Sequence, residues 1–569
     1  MRLIIGLIIF WLSIFSIKLF IEKKIKVPNM FSLPLTFTFI GIYMFILGII
    51  NMMKLGSLIL IFLAMCYFVY LIYKKELNKD YIISSLKNPI NILMILMFLF
   101  ITIISSNLHL IHYDNYSHWG LITRVLFDFD RLPNFENNYV MFKGYQPGSA
   151  CFIYLMGLLC GKKDYVMIIG QNYLVFAYFT VLFKMIKDKK DILKGLLLVC
   201  LYVFIIVTSC ISYNNLLVDT LIGVMLLVGL LIINHYKKDI NKAFLYSLPV
   251  MIYLLLVKNI GLVLAGFMCL YLLYRSYVNN DLKKGFKYVI YAGLILLLVL
   301  FIWNSHVSLV YGHWALNTKH SLSLQNIYTS LKAIGISNII SFIKMYLLNI
   351  FNFTSSNLPN IYMLVLNIVG LIFGLLVRNK NKIFKYILLL DFIYLFYYFI
   401  LGFMYIVSMP WDEAKVLAGY SRYMMTIIDV IVCLFVVYLF NYDRRIKYKN
   451  IFVVCISALL LSSIFIDYGS FLCMLGNDGY EGSLVKNIDE VIDKIPTDKE
   501  RYYLYVDSDL YDPYYFKFII TYKLQKNDIY ILETDSNINN ISSDSYLLFY
   551  DKEVDNSFDK INEITYYKK

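Results

Sequence analysis

Charge is scarce in this chain. Only 16% of its 569 residues are charged, while 60% are apolar; soluble domains carry about 25% and 45–50%. That shortage excludes a soluble globule, and the composition also excludes disorder, collagen and a disulfide scaffold. Strict apolar–polar alternation is missing too, which excludes a β-barrel, because the apolar residues come in unbroken blocks of roughly 15–25. None of the nine cysteines forms a CxxC, and most sit inside apolar blocks, so they read as small buried residues and not as bridges or metal ligands. No basic stripe marks a nucleic-acid surface. No internal repeat of the kind found in many transporters is visible.

What is present is a set of membrane-length apolar runs. Crossings of about 20 apolar residues fit candidate spans at 3–21, 30–50, 55–73, 90–111, 165–183, 195–212, 215–233, 243–257, 260–275, 287–303, 361–377, 384–409, 423–440 and 450–466. The pair around Lys258-Asn259 also reads as one long kinked helix, so the expectation is an all-α polytopic membrane protein of about 13–14 transmembrane helices. The first block lacks a small-residue cleavage site and reads as a span, not a removable signal.

The charges that exist are sorted. Residues 467–569 hold 20 acidic and 11 basic side chains, against 18 acidic and 41 basic in the first 466. Basic loops fall at 18–26, 74–87, 184–194, 236–242, 275–287, 378–385 and 442–449. With the N-terminus outside, all of them lie on the cytoplasmic side, as the positive-inside rule requires. This holds only if 147–160, about 14 residues long and short of a crossing, is an interfacial or re-entrant helix on the outer side.

Three parts follow: N-terminal spans at 1–89, a membrane module at 90–466 with outer loops 112–164 and 304–360, and an outer tail at 467–569. Within the tail, Tyr502–Val506, Ile529–Glu533 and Tyr546–Tyr550 read as strands around a helix at Pro513–Leu524, a small α/β domain. It has no Gly-rich phosphate loop, which argues against a nucleotide site.

The densest polar cluster runs from His112 to Gly120, through Asp114 and His118. Asp114 is a candidate general base at the outer surface, and His118, one helical turn on, a candidate to orient it or share a metal. The structural alternative is an interfacial belt of Tyr, Trp and His. Lys143-Gly144-Tyr145-Gln146-Pro147-Gly148 leads into the interfacial helix, whose N-terminus is a candidate anion site, although a helix start alone accounts for Pro147. Asp219 lies about one turn inside a span, a costly place that calls for a partner or a polar cavity. Arg422, after Pro410-Trp411-Asp412-Glu413-Ala414-Lys415, stands at the outer boundary, where it would grip a phosphate or snorkel to water. Asp429 is its candidate neutralising partner, and Lys258 a weaker phosphate ligand. His306, His313 and His320 recur every seven residues, about 10.5 Å apart on a helix and too far to share a metal. Asp391, towards the cytoplasmic end of its span, has no outer-face role.

In this order, Asp114 opening a large outer loop, Tyr145-Gln146-Pro147-Gly148-Ser149-Ala150, Val218-Asp219-Thr220-Leu221 and Ser421-Arg422-Tyr423-Met424 resemble the GT-C superfamily of integral-membrane glycosyltransferases. Gln146-Pro147 stands where that family has Pro-Pro, and Asp114-Asn115 where many relatives have two acidic residues. The resemblance implies an inverting transfer of sugar from a polyprenyl-phosphate carrier to a glycan, lipid or protein acceptor of a bacterial envelope. The site and tail would face outward from the plasma membrane. By it Asp114 would be the base, and Arg422, with Lys258, Lys143 and Tyr145, would bind the donor and its phosphate. Asp219 and His118 would position the donor or a divalent cation, Mg2+ or Mn2+. The rivals are a surface-polysaccharide polymerase or ligase working on a diphosphate carrier, and a flippase or other transporter.

Overall fold

Thirteen of the expected spans fall on helices of the computed structural model. It describes residues 1–186, 191–209, 213–316, 327–328, 331–332, 334–354, 357–376, 380–442, 479–506, 512–532, 545–550, 559–561 and 564–568. The candidate at 450–466 and the loop 442–449 lie outside the described residues, except for Tyr442. The helices in chain order are α1 Arg2–Lys23, α2 Asn29–Ile49, α3 Met53–Tyr73, α4 Lys79–Leu86, α5 Pro89–Ser105, α6 Gly120–Phe129, α7 Gly148–Cys160, α8 Asp164–Met185, α9 Ile192–Thr208, α10 Asp219–His235, α11 Ile240–Val257, α12 Gly261–Val278, α13 Leu282–Tyr311, α14 Ile336–Asn349, α15 Leu358–Leu376, α16 Lys380–Val407, α17 Trp411–Ala414 and α18 Tyr420–Tyr442. Ten of the described helices are long and apolar enough to cross a membrane. The chain is a polytopic all-α membrane protein with a small α/β domain.

The helices sort by what they touch. α8 is buried along almost its whole length, whereas α3 and α13 show apolar side chains outward, as spans at a lipid-facing perimeter would. α11 and α12 are separate antiparallel helices joined at Lys258-Asn259-Ile260, which rules out the single kinked helix.

One end of the bundle collects the basic loops. Lys23 pairs with Glu76, Tyr246 donates to the Ile25 carbonyl at 2.9 Å, Lys184 to Asn91 at 2.7 Å and Asn279 to the Lys237 carbonyl at 2.6 Å. Two of these contacts join basic loops in pairs, and the other two tie a basic loop to the first turns of α11 and α5, so five of the seven loops lie at this end.

Helix α7 answers the question on which the topology turns. Its 13 residues span about 20 Å at 1.5 Å each, short of the bilayer's ~30 Å core. Its first turn meets the end of α11 and its last turn the start of α1, which is the same end of the bundle. Glycine allows both approaches: a Cβ on Gly148 would lie 2.4 Å from the Leu256 carbonyl oxygen, and one on Gly6 2.5 Å from that of Leu159. So α7 returns to the end it left, opposite the basic loops.

The tail holds a short helix α19 (Leu484–Val491), a longer α20 (Pro513–Leu524) and strands β1 Arg501–Val506, β2 Ile529–Leu532, β3 Ser545–Tyr550, β4 Asp559–Ile561 and β5 Ile564–Lys568. Alternation of apolar residues in β1 buries Tyr502, Leu504 and Val506 in a core shared with Phe516, Ile519 and Ile520 of α20. The sheet order is β2-β1-β3-β5-β4, with β1 parallel to both neighbours and β5 antiparallel to both of its own. β4 and β5 were not expected. β4 (Asp559–Ile561) is a short, polar edge element that carries little strand signal, whereas β5 (Ile564–Lys568) lies between β3 and β4 and has the Ile, Thr and Tyr content of a strand, a legible signal that was missed.

The tail lies on the stretch 109–164. Tyr515 donates to the Ile111 carbonyl, Tyr522 to Asp164 at 2.6 Å and Gln525 to Asp128, while Tyr480 stacks on His109 at 3.9 Å.

Candidate functional site

Four charged side chains from four separate parts of the chain meet at the end opposite the basic loops. Arg422, in the first turn of α18, places Nη1 3.2 Å from Asp114 Oδ2 and Nε 3.8 Å from Asp219 Oδ2. Lys258, in the α11–α12 turn, holds Asp219 Oδ1 at 2.6 Å. The Tyr423 hydroxyl accepts from Arg422 Nη2 at 3.0 Å, and its ring lies 5.2 Å from Lys258 Nζ. The result is a chain of alternating charge, Asp114–Arg422–Asp219–Lys258.

Local structure explains each placement. Asp114 precedes a π-helical turn, Asn115–Trp119, a geometry enriched at functional sites. The Asn115 side chain accepts the Leu216 amide at 3.0 Å, and Tyr116 donates to the Leu110 carbonyl, so the turn is pinned between α5 and the approach to α10. Asp219 is the first residue of α10, where a helix N-terminus favours a carboxylate. It stands at the mouth of its span, not one turn inside. Arg422 is only one-fifth exposed and faces carboxylates, which rules out snorkelling. Asp429 is not its partner: that carboxylate is buried deeper in α18, with Oδ2 bonded to none of the described residues.

A cavity of about 700 Å3 opens beside this chain, lined by Tyr113, Asp114, Ser117, His118, Lys143, Tyr145, Trp314, Glu413, Arg422, Tyr423, Tyr514 and Phe518 among others. A narrower apolar space of about 120 Å3 adjoins it, sharing Trp119, Tyr145, Lys258 and Tyr423 and continuing between Ile260, Tyr397, Leu401, Met404 and Met409. Cations therefore stand at the junction of a polar chamber and an apolar groove.

The other expected residues take lesser places. His118 is enclosed by Trp119, Phe142 and Tyr145 at 4.9–5.2 Å, with Nδ1 on the Ser117 hydroxyl at 2.7 Å. Burial drives its imidazole down to about 3, so it is neutral near pH 7. Lys143 lines the wall, but its ammonium is bound by the carbonyls of Asn138 and Val140 at 2.9 and 3.0 Å and covered by Trp314 at 5.1 Å. Tyr145 borders both spaces. The start of α7 is no anion cradle, because Gly148 packs against the Leu256 backbone, Ser149 is buried, and neither lines the cavity. Asp391 accepts from Asn367 at 2.9 Å, a bond between neighbouring spans.

Burial pushes the Asp114 carboxyl up, but His118, Arg422 and His112 together outweigh it and hold it below the usual carboxylate value. Burial lowers the His112 imidazole and the Lys143 ammonium. For a divalent cation the donor set does not fit. Among the described residues no three His, Cys, Asp or Glu side chains come together, and both carboxylates already face cations.

Glu413, Trp314, Tyr514 and Phe518 were missed as cavity residues. Glu413 lies inside a motif that had been singled out; the last two come from the tail helix, whose proximity no local pattern announces.

No family model matches the chain, and no curated protein matches it. Among solved structures the chain is similar to ArnT from Cupriavidus metallidurans bound to undecaprenyl phosphate, at 10% identity and a TM-score of 0.41, over 81% of this chain and 92% of that one. The apo form of the same protein matches over the same shares, with a TM-score of 0.38.

Proposed function

We propose that the protein is a membrane glycosyltransferase that moves a sugar from a polyprenyl-phosphate carrier to an envelope acceptor on the outer face of the plasma membrane. The observation that carries this reading is the Arg422–Asp219–Lys258 cluster at the point where a polar chamber meets an apolar groove. A lipid phosphate needs that combination: fixed cations for the headgroup and an apolar exit for the tail.

The mechanism follows from charge exchange. The carrier phosphate approaches Arg422 and Lys258 and takes over hydrogen bonds now made by Asp114 and Asp219. Asp114, released from the guanidinium, regains basicity and accepts the proton of the acceptor hydroxyl. That oxygen attacks the anomeric carbon as the bond to the phosphate oxygen breaks, which inverts configuration, and the carrier leaves as a phosphate held by both cations. Tyr423 orients Arg422, and Asp219 keeps both cations in place. Mg2+ or Mn2+ enters no step.

Purified full-length protein supplied with undecaprenyl-phosphate-linked sugars tests this. Consumption of the donor with release of undecaprenyl phosphate supports it. Turnover only of diphosphate-linked glycans, or transfer that survives both Arg422→Ala and Asp114→Asn, rejects it.

A further inference from the structure

The cavity mouth carries large aromatic rings that the site chemistry does not use. Tyr514 is 58% exposed, Trp314 60% and Tyr113 37%, although all three line the chamber and not an outward perimeter. They come to the one cavity from three separate stretches of the chain. Tyr113 packs against Phe518 at 5.2 Å and Tyr515 at 5.8 Å, while Trp314 lies against the Lys143 ammonium. Tyr514 and Phe518, four residues apart on α20, share its cavity-facing side. The anchors of Tyr515 and Tyr522 on the stretch 109–164 hold that side in register.

Exposed rings of this size gain free energy when an apolar face covers them. An occupant of this lip must also suit Asp114, Glu413 and Ser117, which lie on the same walls. A saccharide does both, since a pyranose ring presents a C–H face to stack and hydroxyls at its rim. An extended peptide is suited less well: none of the lining residues belongs to a strand, so no strand edge is offered. A second lipid would need its own apolar groove, and the one that adjoins the chamber is occupied by the carrier tail in the transfer reaction.

We infer that Tyr113, Trp314 and Tyr514 form a stacking platform for a saccharide acceptor, so that the tail domain selects the acceptor while the spans bind the donor. This rests on the glycosyltransferase reading for its chemistry and deepens it by naming the acceptor class.

The test uses the full chain in nanodiscs. Cellotetraose, maltotetraose and chitotetraose are titrated separately while tryptophan fluorescence is followed, with a Ser/Thr-rich decapeptide as comparison. At least one tetrasaccharide is expected to give a saturable change that is lost in Trp314→Phe. Its affinity should fall roughly tenfold in Tyr514→Ala and recover in Tyr514→Trp. Undecaprenyl phosphate binding, measured in parallel, should be unchanged in Tyr514→Ala and lost in Arg422→Ala. No response to any tetrasaccharide, or a response to the peptide instead, overturns the proposal. So does a Tyr514→Ala effect confined to partitioning of the protein onto liposomes. The two readings fail separately: loss of undecaprenyl phosphate binding with saccharide binding intact removes the transferase, and the reverse removes the platform.

Discussion

The two ends of the helix bundle use the same ion-pairing side chains in opposite ways. At the basic end the pairs are mostly local: Lys18–Glu22, Lys194–Asp191, Lys242–Asp239 and Lys284–Asp281 join residues three or four apart. Such pairs follow from helix geometry and contribute little to stability. At the site end Arg422 reaches Asp114 across 308 residues, and Asp219 is all but buried beneath two cations. Lysines of the first kind set the charge asymmetry of the loops. Cations of the second kind are held partly desolvated, where an arriving phosphate competes with carboxylates and not with bulk water.

The comparison breaks most visibly at Arg422. Arg422→Ala should reduce donor turnover by about 100–1,000-fold, the scale for losing a donor aimed at developing charge. Arg422→Lys should restore only part, because one ammonium cannot serve two carboxylates and a phosphate in a planar fork. Release of undecaprenyl phosphate over time measures both. Asp114→Asn should lower kcat by at least about 100-fold as the base is lost. The same change should leave undecaprenyl phosphate binding equal or tighter, since Arg422 no longer has a competitor; weaker binding in a direct titration would argue against charge exchange.

Lys258→Ala should destabilise by about 2 kcal/mol, less than a fully buried pair because Arg422 lies 3.8 Å from the same carboxylate. Adding Asp219→Asn should recover much of the lost melting temperature, though not activity. The acid limb of the rate profile gives a finer test. In the free enzyme Asp114 titrates below the usual carboxylate value, so its ion pair stabilises the fold above that range and is lost as pH falls through the lowered value. Once phosphate replaces it on Arg422 the carboxyl titrates higher, so the acid limb of kcat should lie at higher pH than that of kcat/KM. At the basic end Lys284→Ala should leave turnover unchanged and the melting temperature within about 2 °C.

Much of this architecture is legible without coordinates because it depends on local composition. Runs of apolar residues, lysine-rich loops and an α7 too short to cross are properties of neighbouring residues, and a bilayer imposes the same length on every span. The helix at Pro513–Leu524 is equally local: Asp512 caps it at 2.9 Å from the Tyr514 amide, and Pro513 starts it. Asp114, Asp219 and Arg422 are each conspicuous as polar residues at the margins of apolar segments.

Their pairing is another matter. Asp429 is as near to Arg422 in sequence as a partner could wish, yet α18 turns it into the bundle while Asp114 arrives from the π-helical turn after α5 and Asp219 from the start of α10. Lys258 ranked low as a weaker phosphate ligand, yet it closes the network through its 2.6 Å pair with Asp219. The amino-acid sequence alone determined a basic-ended helical membrane protein with an acidic α/β tail, because span length, charge placement and strand alternation are short-range. Only the tertiary structure decided which carboxylate meets which cation, and that Tyr514 of the tail lines the same cavity, because those placements depend on how separate helices and a docked domain pack.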